Sequence, residues 1–465
     1  MPSQSAFLLL AALSLAAPSV LAQSPGVLLQ DGDPVFGVGS VDRIQSVAIT
    51  DLGSWSVVVE AGFDFSRDKC LLLSGFLALR EGMALPLPVG STVRGWGSND
   101  LASNGDLGLV LEVDLSGTTD SVDYLFWNLS PIVGENEILT GPGFGPNTTL
   151  DSVRVARVTA DRTVIALMKV ENPTVAPGMT DALMRFRIDA QGNVLSREVL
   201  ATRRTQNDTL DTFIEELGSP TSPEHSLSVN QRGDFVLPVN GFGRKVIMKN
   251  LDTIVAQELQ PSPVAGRSYA ANAFALSKCA INDRGDIVFS ANLTPIGPAN
   301  EPTTLLIVKN GQKFSQSGDV IPALSASALG KATVAVFVSN RGDVFWRAQP
   351  TTTAGAGAAF MKNYTPLIQE SVTVVEGNPV YQVTAANECF AVSPNGRFFL
   401  GRVVLQTVGD AVLFIDFGLI SELPGCLGVN QGTLRHLSGE PRIGQTVRVG
   451  MDEGPVPGAL PFVFL

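Results

Sequence analysis

Short apolar runs follow polar, glycine-containing turns at regular intervals along the chain. Residues 282–286 read Asn-Asp-Arg-Gly-Asp and precede the apolar run 287–289, and similar turns precede apolar runs around Gly233 and Gly342. A glycine between polar residues supplies the positive φ that a tight turn needs, and a short apolar run after a turn is typical of a buried strand. Outside the first 22 residues there is no long apolar pattern of period 3.6. The pattern therefore predicts an all-β protein.

Four further turns are degenerate copies of the same pattern. The glycine is kept in three of them and is lost at Arg162. The seven landmark positions are 53, 105, 162, 233, 285, 342 and 396, which lie 52, 57, 71, 52, 57 and 54 residues apart. This regularity indicates an internal repeat, with an insertion predicted around Ile188 to Thr221 in the longest interval. A Lys-Asn pair after the second strand, at 249–250, 309–310 and 362–363, marks the same period.

A period of about 55 residues with two strong strands and room for two weaker ones predicts a seven-bladed β-propeller. An open β-solenoid and tandem sandwiches are the alternatives, although sandwiches need units nearer 100 residues. An open ring would leave two unpaired sheet edges. We therefore predict that residues 26–30 and 411–417, near opposite ends of the repeat region, lie in the same or adjacent blades.

The turns at 232–234, 284–286 and 341–343 each contain Arg-Gly-Asp, the tripeptide that adhesion receptors bind. An adhesion site is therefore the alternative to a structural turn. Where the turn degenerates, the glycine mostly survives and the charges do not, which favours a backbone requirement over an adhesion site. We expect Gly285→Ala to cost about 1 kcal/mol or more and Asp286→Ala much less. The predicted structural turn glycines are Gly53, Gly105, Gly233, Gly285, Gly342 and Gly396.

Two stretches carry a resemblance to known proteins. Residues 28–35, Leu-Leu-Gln-Asp-Gly-Asp-Pro-Val, resemble the "REGDPVPG" phrase of large secreted bacterial repeat proteins, and residues 281–291 resemble their "ND.G.VVF.A" phrase. The resemblance covers about residues 27–418 and implies a β-propeller without assigned chemistry. Residues 424–449 resemble a small C-terminal β-module of secreted bacterial proteins, which serves at most in sorting or attachment. We assign residues 23–420 to the propeller and 421–465 to this module, which is either short or incomplete.

The N-terminus has the pattern of a secretory signal. Residues 7–17 are apolar except for Ser14, and Val-Leu-Ala at 20–22 forms a small-residue cleavage pattern before Gln23. Residues 1–22 are therefore predicted to be a signal peptide, with a buried N-terminal helix as the alternative because the first five residues lack Lys and Arg. No other stretch reaches the length of a membrane helix. We expect a secreted or cell-surface protein.

Composition and charge narrow the possible partners. The formal net charge is −12, from 32 basic and 44 acidic residues, and no basic tract occurs, which argues against nucleic acid as a partner. The two histidines, His225 and His436, lie in different regions and offer little material for a metal site or a catalytic triad. No cofactor is predicted. The four cysteines form no Cys-x-x-Cys pair, so we expect buried thiols and leave their disulfide state open; they are Cys70, Cys279, Cys389 and Cys426.

Paired carboxylates are the remaining candidates for catalysis. They are Asp31 and Asp33, Glu135 and Glu137, Glu215 and Glu216, and Asp452 and Glu453. Each pair lies in a polar, turn-like setting typical of surface charge. Asp31 and Asp33 are also weak candidates for a Ca²⁺ site, since the further acidic positions of an EF-hand are missing.

The sequence therefore predicts a non-enzymatic propeller that binds an unknown extracellular ligand or surface component. The alternative is an extracellular glycan-acting hydrolase. It would need two carboxylates about 5 to 9.5 Å apart in the central funnel.

Overall fold

The structure is a computed structural model. It describes residues 24–418, except for residues 63–68, 118–120, 176–177, 219–225, 275–277, 295–303, 325–327, 331–334, 352–356 and 386–387. It also describes the backbone of residues 434–438 and 448–451. The predicted signal peptide and its alternative, the N-terminal helix, lie outside the described residues, as do His225, Cys426, Asp452 and Glu453.

Seven antiparallel sheets follow one another along the chain, and we call them blades 1 to 7. β1 (Gly26–Gln30) joins the last blade. Blade 1 contains β2 (Pro34–Val35), β3 (Gly39–Ile49), β4 (Trp55–Ala61), β5 (Lys69–Leu73) and β6 (Phe76–Arg80). Blade 2 contains β7 (Thr92–Leu101), β8 (Leu107–Asp114), β9 (Ser121–Trp127) and β10 (Ser130–Gly134). Blade 3 contains β11 (Thr149–Val158), β12 (Thr163–Glu171), β13 (Met179–Ile188) and β14 (Val194–Thr202).

The remaining blades have the same plan. Blade 4 contains β15 (Gln206–Asn207), β16 (Thr212–Leu217), β17 (Ser228–Val229), β18 (Phe235–Gly241), β19 (Arg244–Lys249) and β20 (Thr253–Gln257). Blade 5 contains β21 (Cys279–Ile281), β22 (Ile287–Leu293), β23 (Thr304–Lys309) and β24 (Gln312–Gln316), followed by a 3-10 turn at Pro322–Leu324. Blade 6 contains β25 (Val336–Val338), β26 (Val344–Ala348), β27 (Ala359–Lys362) and β28 (Thr365–Gln369). Blade 7 contains β29 (Val374–Val375), β30 (Asn378–Val383), β31 (Phe390–Val392), β32 (Phe398–Leu405) and β33 (Gly409–Asp416). Beyond the blades, β34 (Leu434–Ser438) pairs with β35 (Arg448–Met451).

The core lies between the blades. Seven clusters of buried apolar side chains each join one blade to the next: blades 1 and 2, 2 and 3, and so on to blades 7 and 1. In the cluster between blades 5 and 6, for example, Val288 and Ile307 pack with Val344 and Trp346. A four-stranded sheet alone leaves both faces exposed, so stacking the blades in a ring is what buries them. The chain is a seven-bladed β-propeller, as the repeat predicted.

The two ends of the ring differ. The inner strand of each blade runs toward the first hairpin turn, such as 282–286 between β21 and β22, and we call this end the turn face. The outermost strand runs back, so the loops that lead to the next blade lie at the opposite end, which we call the connection face. Loops 81–91 and 135–148 are examples.

The seven turns of the repeat share a left-handed backbone conformation at the landmark position. Gly285 has φ +84°, and the other five predicted glycines have φ between +72° and +93°. Arg162 takes the same left-handed conformation, with φ +63°. In the turn at 282–286 the Asn282 side-chain oxygen accepts the N–H groups of Arg284 at 3.0 Å and of Asp286 at 2.8 Å. This is an Asx-type turn, which explains why an asparagine begins it.

The aspartate of the turn is also structural, contrary to the expectation that it contributes little. The Asp286 carboxylate accepts hydrogen bonds of 2.8 Å from the side-chain amides of Asn282 and Asn310. Asn310 belongs to the Lys-Asn landmark, and its oxygen accepts the Ile287 N–H at 2.8 Å. The same bond joins Asp234 to Asn250, Asp343 to Asn363 and Asp106 to Asn128. The two sequence landmarks are therefore bonded to each other, and these carboxylates are engaged within their own blades.

The ends of the repeat region close the ring. β1 pairs antiparallel with β33, with Gly26 opposite Phe414 and Val27 opposite Leu413. This confirms the predicted proximity of the two segments and is incompatible with an open solenoid or tandem sandwiches.

The prediction of an insertion at Ile188 to Thr221 is wrong, because this segment belongs to the repeat itself. It supplies β14, the outer strand of blade 3, and β16, part of the inner strand of blade 4. Longer strands and a divided inner strand account for the long interval.

Candidate functional site

The central channel is lined by the inner strands of all seven blades and encloses about 210 Å³. Most of the residues along it are apolar, but polar and apolar atoms contribute about equally to its accessible wall. The charged residues along it are Asp100, Arg157, Lys278 and Glu388. It therefore holds two acidic and two basic residues from four different blades.

Two of these charged side chains tie neighbouring blades together. The Asp100 carboxylate, on β7, accepts the Val158 N–H of β11 at 2.8 Å. Burial raises the pKa of Asp100, while the nearby Arg157 and the amides of Val158 and Leu101 lower it. Arg157 in turn donates to the backbone oxygen of Leu227 in blade 4 at 3.2 Å. Asp100 therefore links blade 2 to blade 3, and Arg157 links blade 3 to blade 4.

At the turn face, hydrogen bonds join the turns of successive blades. From blade 4 onward, Asn230 donates to the backbone oxygen of Asn282 at 2.9 Å, and Asn282 donates to that of Ser339 at 2.6 Å. The chain of contacts continues from the Asn340 N–H to Pro394 at 2.7 Å and from the Asn395 N–H to the Asp51 carboxylate at 2.7 Å.

Gln231 extends this network to blades 2 and 3. Its side-chain oxygen accepts the Ser103 hydroxyl at 3.2 Å and the Ala160 N–H at 2.9 Å. The turn-face end of the channel is thus bridged by polar contacts that involve the repeat turns themselves.

Two of the predicted carboxylate pairs lie in local turns. Asp33 accepts the Gln30 N–H at 2.8 Å, and burial together with the charges of Asp42 and Asp410 raises the pKa of Asp31. Glu135 accepts the Asp123 N–H at 3.0 Å, and Glu137 pairs with Arg197. Within the described ranges, no group of three or more His, Cys, Asp or Glu side chains is arranged to hold a metal ion.

The described cysteines are buried, as expected. They are Cys70, Cys279 and Cys389. Burial raises the pKa of Cys279 and of Cys389 to about 12, so both thiols stay protonated at neutral pH and are poor nucleophiles.

The third predicted pair, Glu215 and Glu216, lies in a polar cleft of about 420 Å³ between blades 3 and 4. We call this the charged cleft; its charged residues are Arg154, Lys169, Asp181, Arg203, Glu215 and Glu216. Arg203 follows β14 and Asp181 lies near the start of β13, so the cleft is near the connection face.

Two β-bulges shape the charged cleft. The register of β11 against β12 shifts between Val153 and Val155, and that of β16 against β18 shifts between Ile214 and Glu216. The extra residues at these bulges are Arg154 and Glu215. A bulge redirects a side chain relative to a regular strand. Arg154 and Asp181 were missed in the sequence because each stands in an ordinary strand pattern, with no local signal of the bulge or of the partner.

Exposed apolar side chains are concentrated at the connection face. Of 17 large apolar side chains that are exposed among the described residues, 13 lie in its loops or strand ends. They are Phe36, Met83, Leu87, Val89, Ile138, Met179, Phe213, Phe242, Leu259, Val320, Val372, Val374 and Tyr381. All seven blades, or the loops between them, contribute. The other four, Leu52, Phe76, Leu195 and Tyr364, lie at or near the turn face, so the two ends of the ring differ.

Across the described ranges, no helix has the length and apolar character needed to cross a membrane. No protein-family model matches the chain, and no curated protein matches it.

Solved propeller structures resemble it in fold. The Dos1 propeller is 9% identical over 85% of this chain and 96% of its own, with a TM-score of 0.37. Puromycin hydrolase is 12% identical over 81% of this chain and 51% of its own, with a TM-score of 0.38. The GH93 α-L-arabinofuranosidase of Fusarium graminearum is 8% identical over 84% of this chain and 98% of its own, with a TM-score of 0.35. Likenesses this distant carry no argument about function.

Proposed function

We propose that the protein is a secreted or cell-surface propeller that serves as a non-enzymatic binding scaffold and docks a macromolecular partner on its connection face. The observation that carries the proposal is the concentration of exposed apolar side chains at that face. Phe36 is 95% exposed, Val89 83% and Phe242 77%. Large contiguous apolar areas on a soluble protein mark interaction sites, and we propose that these side chains contribute to such an area.

The environment of the channel carboxylates also supports binding over catalysis in the funnel. A glycan hydrolase of the usual kind needs one carboxylate as acid and a second as base or nucleophile, both facing the substrate. Asp100 instead accepts a backbone N–H across a blade interface at 2.8 Å. Lys278 and Arg157 also line the channel, which makes its charge mixed rather than acidic. Secretion rests on the N-terminal signal pattern.

The docking surface can be tested by site-specific photo-crosslinking. A photoreactive residue is placed at Phe36 or Phe242 on the connection face, and at Leu52 or Phe76 on the turn face as matched exposed controls. The probe is an extract of the cell surface from the organism that makes the protein. We expect discrete cross-linked products from the connection-face positions only, and their loss when the other position, Phe242 or Phe36, is changed to Asp. Equal products from both faces would contradict the proposal.

The non-enzymatic part has its own test. The protein is incubated with a panel of polysaccharides and of peptides, and new reducing ends or amines are measured. No turnover is expected. Turnover that disappears in Glu216→Gln or Asp100→Asn would overturn the scaffold proposal in favour of hydrolysis.

A further inference from the structure

We infer that the charged cleft between blades 3 and 4 is a binding site for a small zwitterion, namely a free amino acid or a short peptide with both termini unblocked. The inference goes beyond the docking surface and does not depend on it. It rests on the arrangement of opposite charges in one cavity of about 420 Å³. This volume is within the range of small-molecule sites.

The floor of the cleft is a nearly buried ion pair. Arg154 and Asp181 lie 3.0 Å apart, and their side chains are 9% and 14% exposed. Asp181 also accepts the Leu217 N–H of blade 4 at 3.4 Å. Both charges are thereby held in fixed positions at the junction of the two blades. A preorganised pair of this kind orients a polar ligand without a further cost of ordering the side chains.

Glu216 adds a second carboxylate beside this pair. Burial, and next the charge of Asp181, raise the pKa of Glu216, while Arg154, Asn240 and Lys245 lower it. Burial and the neighbouring Asp181 therefore both disfavour the negative charge of Glu216. A ligand ammonium group placed between Asp181 and Glu216 would relieve this repulsion.

The rim supplies unengaged groups of both signs. Within the described part of the chain, the side chains of Lys169, Arg203 and Glu215 make no hydrogen bond or ion pair. With Arg154, Asp181 and Glu216 they make three positive and three negative groups in one cleft. A ligand carboxylate suits Arg203 and Lys169, because guanidinium and ammonium groups bind carboxylates through charge-assisted hydrogen bonds. The ammonium group suits the acidic side chains.

The lining argues against other small ligands. Among the described residues that line it there is no aromatic side chain, and Met179 is the one large apolar residue, so a sugar ring or an apolar molecule finds no stacking or packing surface there. A purely anionic or purely cationic ligand would leave half of the charges without a partner. The balanced set of charges fits a ligand that carries both.

The test is calorimetric titration with free amino acids and with unblocked di- and tripeptides, each compared with the same peptide acetylated at its N-terminus or amidated at its C-terminus. We expect at least one unblocked ligand to bind and either block to weaken binding by about tenfold or more. Arg203→Ala and Glu215→Gln should each weaken binding by a similar factor. Both side chains are unengaged, so these variants should fold normally, as circular dichroism and the melting temperature will verify.

Arg187→Ala is the matched control. Arg187 is an exposed arginine at the turn-face end of β13, the strand that carries Asp181 near its other end. Its replacement should leave binding unchanged. Three results would overturn the inference: no ligand of the set binds, blocked and unblocked peptides bind equally, or Arg203→Ala and Glu215→Gln bind as well as the unaltered protein.

Discussion

Arg162 occupies the position that glycine holds in the other six repeat turns, and it has φ +63° there. A residue with a Cβ atom is strained in this conformation by about 1–2 kcal/mol, whereas glycine is not. The side chain of Arg162 is exposed, and the turn is held by its backbone N–H, which donates to Thr159 at 3.1 Å. The repeat therefore contains one turn whose sequence does not suit its backbone.

We predict that Arg162→Gly raises the free energy of unfolding by about 0.5–1 kcal/mol, because relief of strain exceeds the entropy that glycine adds to the unfolded chain. Urea denaturation measures the change. Arg232→Gly, at a turn position without positive φ, is the matched control and should not stabilise. Gly285→Ala should move in the opposite direction, by about 1–2 kcal/mol. An Arg162→Gly variant that is no more stable would show that the turn is relaxed with arginine.

The Asp286 carboxylate is a second residue whose role differs from the first expectation. Burial raises its pKa, but the hydrogen bonds from Asn282 and Asn310, together with the charges of Arg284 and Lys309, outweigh burial and hold the pKa of Asp286 below its usual value. We predict that Asp286→Ala lowers the free energy of unfolding by about 2 kcal/mol, since it leaves two amide donors without acceptors. Asp208→Ala, at an exposed turn aspartate, should cost less than about 0.5 kcal/mol. Equal losses in the two variants would show that the amides find other acceptors.

Asp123 gives the protein a specific pH dependence. Burial, followed by the charges of Glu135 and Glu112, raises the pKa of Asp123 from 3.8 to about 6. The folded state therefore holds a proton that the unfolded state has released between pH 4 and pH 6, and stability falls as the pH rises through this window. Solvent screening of this half-buried group limits the effect to about 1 kcal/mol. We predict that Asp123→Asn is more stable than the unaltered protein at pH 7.5 and equally stable near pH 3.5. Denaturant unfolding at both pH values provides the measurement. A gain of the same size at both would assign the effect to packing instead.

At the scale of the elements, the sequence predicted what the backbone repeats. The landmark glycines lie at positive φ, and the Lys-Asn landmark reappears as the asparagine that bonds the turn aspartate, as Asn310 does with Asp286 at 2.8 Å. Both features are local, because turn and strand chemistry depends on a few neighbouring residues. Both could be detected in the sequence because they recur along the chain. The closure of β1 on β33 followed from the rule that sheet edges need partners.

The charged cleft could not be predicted in the same way. It depends on bulges at Arg154 and Glu215, and on the meeting of Arg154 with Asp181 across β12 and of both with Glu216 across a blade interface. A bulge adds one residue to a strand without any characteristic sequence. The charged partners are also distant in the chain, since Asp181 lies 27 residues after Arg154. Glu215 and Glu216 were identified as a pair, but Arg154 and Asp181, which form the floor of the charged cleft, were not.

At the scale of the whole molecule, the two ends of the ring have opposite character. The turn face carries hydrogen bonds between the turns of successive blades, from Asn230 to Asn282 at 2.9 Å and from Asn282 to Ser339 at 2.6 Å. The connection face carries most of the exposed apolar side chains, and the charged cleft lies near it. Many proteins bind partners through variable loops that a rigid scaffold holds in position, so that stability and binding depend on different residues.

Ring closure ties this asymmetric molecule together, and it leads to the last prediction. β1 is the outer strand of blade 7, and Leu29 within it packs in the cluster that joins blade 7 to blade 1. A chain that starts at Asp31 would lose this strand and expose the edge of β33 next to the junction of the first and last blades. We predict that it loses at least about 3 kcal/mol of stability, and that hydrogen exchange accelerates on both sides of the junction, in β33 and in β3.

The control replaces Ile254 and Ala256 by proline, which disrupts β20, the outer strand of blade 4, because both residues are paired with β19. Blade 4 is joined to its neighbours by continuous chain on both sides, so its faster exchange should stay within blade 4. The two variants damage equivalent strands, but only the first opens the ring. The prediction is wrong if hydrogen exchange in the shortened chain accelerates only in β33, at the edge of blade 7. In that case the side-chain contacts between blades 7 and 1 are enough to hold the ring closed without β1.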